Sequence, residues 1–223
     1  AMAEYVRLLE RDGAEVQALH HDLLINVTSF FRDPEMFDLL KSRVLPRLLD
    51  GRSANAPVRV WVPGCATGEE AYSVAKCLLE SVSERPRNPP LQVFATDLSE
   101  AAIAKARAAV YLENIAAQGS PERLQRFFVK VDGHYQVSKT VRDLIVFARQ
   151  DLARDPPFSR LDLVSCRNVL IYLETELQKR ILGTFHYALS PAGILVLGSS
   201  ETIGGGTDLF EPVDRDNRIY AKR

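Results

Sequence analysis

Apolar residues recur at helical intervals between residues 4 and 24, with Val6 and Leu9 in one stretch and Val16, Leu19 and Leu23 in the next. Asp12-Gly13 interrupts them. A short polar-aromatic link, Asn26 to Arg32, leads to Asp33-Pro34, where an aspartate cap and a proline suited to a first helical turn open a helix reaching about Leu49. From Val58 the rhythm changes to short apolar runs alternating with helical patterns, which predicts an α/β sheet. Strands are expected at Val58–Val62, Leu91–Asp97, Leu144–Phe147, Leu161–Ser165, Ile194–Gly198 and Arg218–Ala221. Helices are expected at Glu69–Glu84, Ser99–Val110 and Thr175–Leu189, the last closed by Ser190-Pro191-Ala192-Gly193. Pro121–Val141 breaks the alternation: Asp132-Gly133 between two short apolar runs reads as a hairpin, and the segment as a small β insertion. The expected division is a helical segment over residues 1–55 and an α/β domain over 56–223, with the insertion at about 121–142.

Composition narrows the function classes. A chain of 223 residues buries a full core as one ordinary domain. Lys plus Arg is 28 and Asp plus Glu 29, a balance that argues against nonspecific nucleic-acid binding, which needs clustered excess cation. No apolar run approaches the ~20 residues of a membrane span. Cys65, Cys77 and Cys166 lack metal-ligand spacing, so no metal is expected, and their odd number fits a reducing cytoplasm. They read as small buried residues rather than nucleophiles.

The densest chemistry is in Trp61-Val62-Pro63-Gly64-Cys65-Ala66-Thr67-Gly68-Glu69-Glu70-Ala71-Tyr72-Ser73. A strand ending in a two-glycine turn that feeds a helix makes a small-molecule cradle, because glycine lets the backbone approach a ligand and the first helical turn offers free N–H groups. The third glycine of a dinucleotide fingerprint is missing, and Glu69-Glu70 would repel a pyrophosphate. Those acids accept an ammonium instead; Glu69 reads as the partner of the helix dipole and Glu70 as the ligand. Asp97, at the end of the next strand, can accept both hydroxyls of a ribose. Adenosine with a free ribose and an amino-acid tail points to S-adenosylmethionine, and the sheet to the doubly wound, Rossmann-like class I methyltransferase type. Asp155-Pro156-Pro157-Phe158 matches a signature of adenine-N6 and glutamine-N5 methyltransferases, yet it precedes the strand it should follow. It reads as a loop without that role.

Asn26-Val27-Thr28-Ser29-Phe30-Phe31-Arg32, the Gly64–Ser73 segment, Ala95-Thr96-Asp97 and Cys166-Arg167-Asn168-Val169-Leu170-Ile171-Tyr172 together resemble the chemotaxis receptor-glutamate methyltransferases of the CheR type, from about Ala18 onward. The resemblance implies that Asn26, Thr28 and Arg32 fold over the cofactor, with Arg32 at the methionine carboxylate or reaction centre. It places Gly64 and Glu70 at the methionine portion, Asp97 at the ribose, Asp151 and Leu152 beside the adenine, and Arg167 and Asn168 at the methyl-donor site. Tyr172 would approach the sulfonium or the incoming carboxylate, making Arg32 and Tyr172 the catalytic pair. Phe30 and Phe31 would pack the lid, and His20, His21, His134 and His186 match no catalytic place. The implied activity is transfer of a methyl group to glutamate carboxylates of a chemoreceptor's cytoplasmic region, in the cytoplasm, by a monomer. Alternatives are a methyltransferase for another protein or small-molecule carboxylate, and a noncatalytic S-adenosylmethionine-binding module. The family's separate N-terminal domain does not fit into residues 1–25, so a trimmed chain or a part of a larger fusion is expected. The Val131–His134 turn lacks the extra glycines of members that grip a receptor tail peptide, so no such tethering is expected.

Overall fold

The computed structural model describes residues 2–13, 15–16, 28–85, 88–118 and 120–223. Asn26, His20 and His21 lie outside them. A seven-stranded sheet carries the chain: β1 (Val58–Pro63), β2 (Leu91–Asp97), β6 (Ile145–Arg149), β7 (Leu161–Cys166), β8 (Leu189–Leu197), β9 (Phe210–Asp214) and β10 (Ile219–Lys222). Their order is β6-β2-β1-β7-β8-β10-β9. β10 runs antiparallel to both neighbours, and the remaining pairings are parallel. This is the doubly wound sheet with an antiparallel C-terminal strand that the sequence predicts, and its order reverses between β1 and β7, where such folds bind ligands.

Strict alternation sends side chains to two cores. Val58, Val60 and Val62 of β1 join Ile194 and Val196 of β8 on one face. Trp61, Val164, Leu195 and Leu197 join Phe185 on the other. The first face is covered by helix α2 (residues 34–49), α3 (Glu69–Ser83) and α4 (Glu100–Ala108), the second by α7 (Thr175–Ala188). Helix α2 follows the short α1 (Met2–Leu9) and contains a π-helical stretch, Leu40–Val44, ahead of Pro46. Proline has no N–H to give an α-helical ladder, and a local widening accommodates it. Ser99 caps α4 as its position suggests, accepting from Ala102 N at 3.2 Å.

Several expectations are corrected. Asp33 does not cap α2: it sits at φ 59 and its carboxylate meets Arg167 instead. Ser190–Gly193 lies within β8, looped out where its register against β7 slips between Leu161 and Leu163. β9 gives no apolar run, since Glu211 and Pro212 interrupt it; proline is tolerated there because β9 is an edge strand. The small insertion begins earlier than residue 121. β3 (Val110–Tyr111) joins β4 (Phe128–Val131) and β5 (His134–Val137) in a three-stranded sheet, with α5 (Pro121–Phe127) before β4 and α6 (Lys139–Arg142) after β5. Asp132 and Gly133 both have positive φ, as a tight hairpin turn requires.

Candidate active site

A cavity of about 280 Å³ opens at the carboxyl ends of β1, β2, β6 and β7. Gly64, Asp97, Asp151, Leu152, Asn168 and Tyr172 line it together, with Gln150, Val169, Leu177 and Ile181 among its other walls. Residues that the sequence places far apart thus converge on one site at the point where the sheet order reverses. A larger concavity of about 760 Å³, bordered by Arg43, Arg47 and Lys222, lies at the opposite strand ends and holds none of the expected site residues.

The floor is the turn after β1. Gly64 adopts φ 68, and a Cβ there would collide with Val169 Cγ2, so the turn tolerates only glycine. Asp97 braces it: one carboxylate oxygen accepts from Ala66 N at 2.8 Å and the other from Ser99 N at 2.9 Å. A carboxylate has about four acceptor positions, so Asp97 keeps capacity for ligand hydroxyls. The turn is fixed further by Tyr111, whose hydroxyl donates to Thr67 O at 2.7 Å.

The adjacent acids turn to different partners. Glu69 turns to its own helix start, accepting from Thr67 Oγ1 at 2.7 Å. Glu70 points to β7, accepting from Ser165 Oγ at 2.6 Å and standing 3.5 Å from Arg167 Nη1. Burial pushes the Glu70 carboxyl above its ordinary value; Arg167, the Ser165 hydrogen bond and Arg32 pull it back in part, while Glu201 raises it.

Arg167 is buried behind the cavity rather than on its wall. Its Nη2 donates to Arg32 O at 2.8 Å and to Asp33 Oδ2 at 2.6 Å, which ties the turn before α2 to the end of β7. Its Nε and Nη1 are buried with no hydrogen-bond partner, as is the side-chain oxygen of Gln150 on the cavity wall. The Gln150 orphan, on the wall itself, fits a ligand that brings a hydrogen-bond donor such as a heterocycle amine. S-adenosylmethionine fits the residues that line the cavity: Asp97 keeps acceptor capacity for ribose hydroxyls, and apolar Leu152, Leu177 and Ile181 offer a wall for a purine, with the Glu70–Arg167 pair behind it.

Other expected residues sit differently. Arg32 is exposed and absent from the cavity wall, although its charge reaches Glu70. Thr28 borders a separate cavity of about 340 Å³ with Thr67, Glu69 and Tyr111. Asp151 lines the main cavity but spends its carboxylate locally, accepting from Ala153 N at 2.9 Å. Tyr172 stands at the mouth, 59% exposed. Phe30 and Phe31 are buried, and Phe31 N donates to Ser73 Oγ at 3.0 Å. The Asp155–Phe158 motif is structural: Asp155 accepts from Asp151 N at 2.8 Å, and Phe158 stacks on Phe94 at 4.3 Å and meets the edge of Trp61. Burial pushes the Cys65 and Cys166 thiols well above their ordinary value, which removes both as nucleophiles. His134 and His186 donate to the backbone oxygens of Asp132 and Arg223, away from the cavity. Among the described residues no cluster of metal ligands forms, and no helix is long and apolar enough to cross a membrane.

Glu201 escaped the sequence reading. Its carboxylate is buried in the loop after β8 and accepts from Gly198 N at 2.6 Å, Leu170 N at 2.7 Å, Val169 N at 2.8 Å and Asn168 N at 3.0 Å. An acid shortly after a buried strand was its only sequence signal.

A family model described as "CheR methyltransferase, SAM binding domain" matches residues 26–219. An uncharacterized 104.1 kDa protein of Rhodobacter capsulatus is 42% identical over 219 residues, which is 98% of this chain but 23% of that protein. Chemotaxis protein methyltransferase 1 of Pseudomonas aeruginosa is 35% identical over 219 residues, covering 96% of this chain and 80% of its own length. A chemotaxis protein methyltransferase of Vibrio parahaemolyticus is 35% identical over 192 residues, covering 84% of this chain and 69% of its own. The strand order, the cavity at the sheet's switch point and these matches agree: the chain belongs to the CheR methyltransferase family and comprises its S-adenosylmethionine-binding domain.

Proposed function

We propose that this chain methylates glutamate side-chain carboxylates of a chemoreceptor-type protein in chemotaxis-like signalling, forming methyl esters. The observation that carries the reading is the cavity in which Gly64, Asp97, Asn168 and Tyr172 meet, backed by the Glu70–Arg167 pair behind it. The names of the chemotaxis relatives support the signalling context. Residues from about 56 onward form the catalytic unit, preceded by the helical segment. The Rhodobacter relative, of which the chain spans 23%, supports a module that works within a larger protein.

When bound, S-adenosylmethionine supplies an electrophilic methyl group on a sulfonium. Asp97 holds the ribose, Gly64 and Glu70 the methionine portion, Asp151 with Leu152 the adenine side, and Arg167 with Asn168 the methyl-donor side. An acceptor glutamate has a pKa near ~4.3 and is ionised at neutral pH, so the chain need provide no general base. That agrees with the placement of His134 and His186 away from the cavity. An anion attacking a cation loses charge as it reacts, so a polar site gains little from electrostatics alone. The residues of the chain contribute orientation and exclusion of water. Tyr172 at the mouth steers one carboxylate oxygen toward the donor. Arg32 positions the acceptor rather than activating it, because a tight guanidinium–carboxylate pair would blunt the nucleophile.

Incubation with methyl-labelled S-adenosylmethionine and cytoplasmic chemoreceptor fragments tests the reading. Base-labile label on receptor glutamates is expected, with turnover greatly reduced in Arg32→Ala. Binding of S-adenosylhomocysteine without any transfer to receptor fragments would refute the acceptor assignment.

A further inference from the structure

The buried carboxylate of Glu201 does not line the cavity, yet it gathers the backbone N–H groups of Asn168, Val169 and Leu170 together with that of Gly198. Each oxygen serves two donors: Oε1 takes Val169 and Leu170, and Oε2 takes Asn168 and Gly198. The carboxylate is thereby saturated, and the four contacts are charge-assisted. The segment it holds has a costly shape. Asn168 stands at φ 59, and Leu170–Tyr172 is a single 3-10 turn whose first N–H groups have no helical partner of their own. Gly198 completes the arrangement, since a Cβ there would fall 2.8 Å from Glu201 Oε2 and 2.9 Å from Asn168 N.

On this basis, and resting on the methyltransferase reading above, we infer that Glu201 is a positioning residue: it pins the 168–172 segment so that Asn168 and Tyr172 face the cavity. Gly64, Asp97 and Leu152 reach the same cavity from other strands, so loosening this segment disturbs the reacting geometry more than the holding of the cofactor.

Glu201→Gln tests this. The substitution keeps the size of the side chain but turns an NH₂ group against two backbone N–H donors. Glu201→Asp keeps the charge and serves as the conservative rescue. The expected result for Glu201→Gln is a folded protein in which amide exchange at residues 168–170 speeds up at least about tenfold. Its kcat for methyl transfer should fall by roughly 100-fold, the scale of a ~1 Å misplacement, with KM for the methyl donor within about threefold of wild type. Glu201→Asp should recover part of that kcat. Unchanged kcat with unchanged exchange would overturn the inference. So would a fall in kcat that merely tracks the fraction of protein still able to bind S-adenosylhomocysteine, since that is loss of fold. If the wild type binds S-adenosylhomocysteine but methylates nothing, the functional reading fails, and the exchange rates decide the positioning claim alone.

Discussion

Replacing Gly64 with alanine probes the cavity floor through two separable costs. The backbone there has φ 68, a region where a Cβ costs roughly 1–2 kcal/mol. The added methyl would also press into Val169, far inside contact with Cγ2 and 3.4 Å from Cβ and Cγ1. Val169 cannot swing away freely because Glu201 holds its N–H at 2.8 Å, and overpacking of this kind costs roughly 1–3 kcal/mol. The sum is about 2–5 kcal/mol of lost stability. Val169→Ala in the same chain opens the space but leaves the strained φ. The double variant should therefore be more stable than the two single costs predict, with a coupling of roughly 1–3 kcal/mol. Urea unfolding of wild type, both single variants and the double variant, followed by circular dichroism, measures each corner of the cycle. Calorimetric titration with S-adenosylhomocysteine should show weaker binding in Gly64→Ala. Wild-type stability in Gly64→Ala, or strictly additive costs in the double variant, would refute the close approach of Val169 to the floor.

Lys76 is fully buried, its Nζ lacks a hydrogen bond, and burial followed by Arg123 holds its pKa well below the ordinary 10.5, against Cys77, Glu80 and Glu69, which raise it. In the window between that lowered value and 10.5 the unfolded chain binds the proton and the folded one does not, so stability rises with pH there; Lys76→Met should flatten that slope in denaturation curves. Because the Glu70 carboxyl is held above its ordinary 4.5, S-adenosylhomocysteine affinity should start to fall at a pH above that value on acidification, and Glu70→Gln should remove this dependence in calorimetry. Asp97→Asn should weaken the same ligand by roughly tenfold to a hundredfold, matching the ~1.5–3 kcal/mol of hydrogen bonds to a charged group. Phe158→Ala should cost on the order of 2 kcal/mol in urea unfolding while leaving that affinity unchanged, since its ring packs on Phe94 and Trp61.

The central sheet was legible because β1, β7 and β8 are buried on both faces and spell near-continuous apolar runs. β3 has two residues and β9 only one buried side chain, so neither carries a periodicity to read. Gly64 and Asp97 were readable from chemistry alone, as a glycine turn and an acid at strand ends. Arg167 was foreseen as a site residue but not as the tie to Arg32 O and Asp33, since that pairing spans the fold. Glu201 was hidden for a deeper reason: all four of its partners are main-chain N–H groups, which every sequence offers and none advertises. The side chain of Arg32 and the position of Thr28 were implied only by resemblance, and the structure sets both off the cavity wall.

The side-chain nitrogen of Lys76 lies 4.1 Å from the ring of Phe30 and 3.8 Å from that of Phe128, with Phe31 at 5.8 Å. One ring belongs to the stretch just before α2 and another to the small three-stranded sheet, so two parts of the chain distant in sequence grip the same amine on α3. Neither can be pulled away alone without exposing the other ring and the buried amine packed between them. A displacement of the small sheet at Phe128 is therefore passed to the stretch at Phe30 through one side chain. The small sheet and the stretch before α2 thus move as one jaw, not as independent flaps.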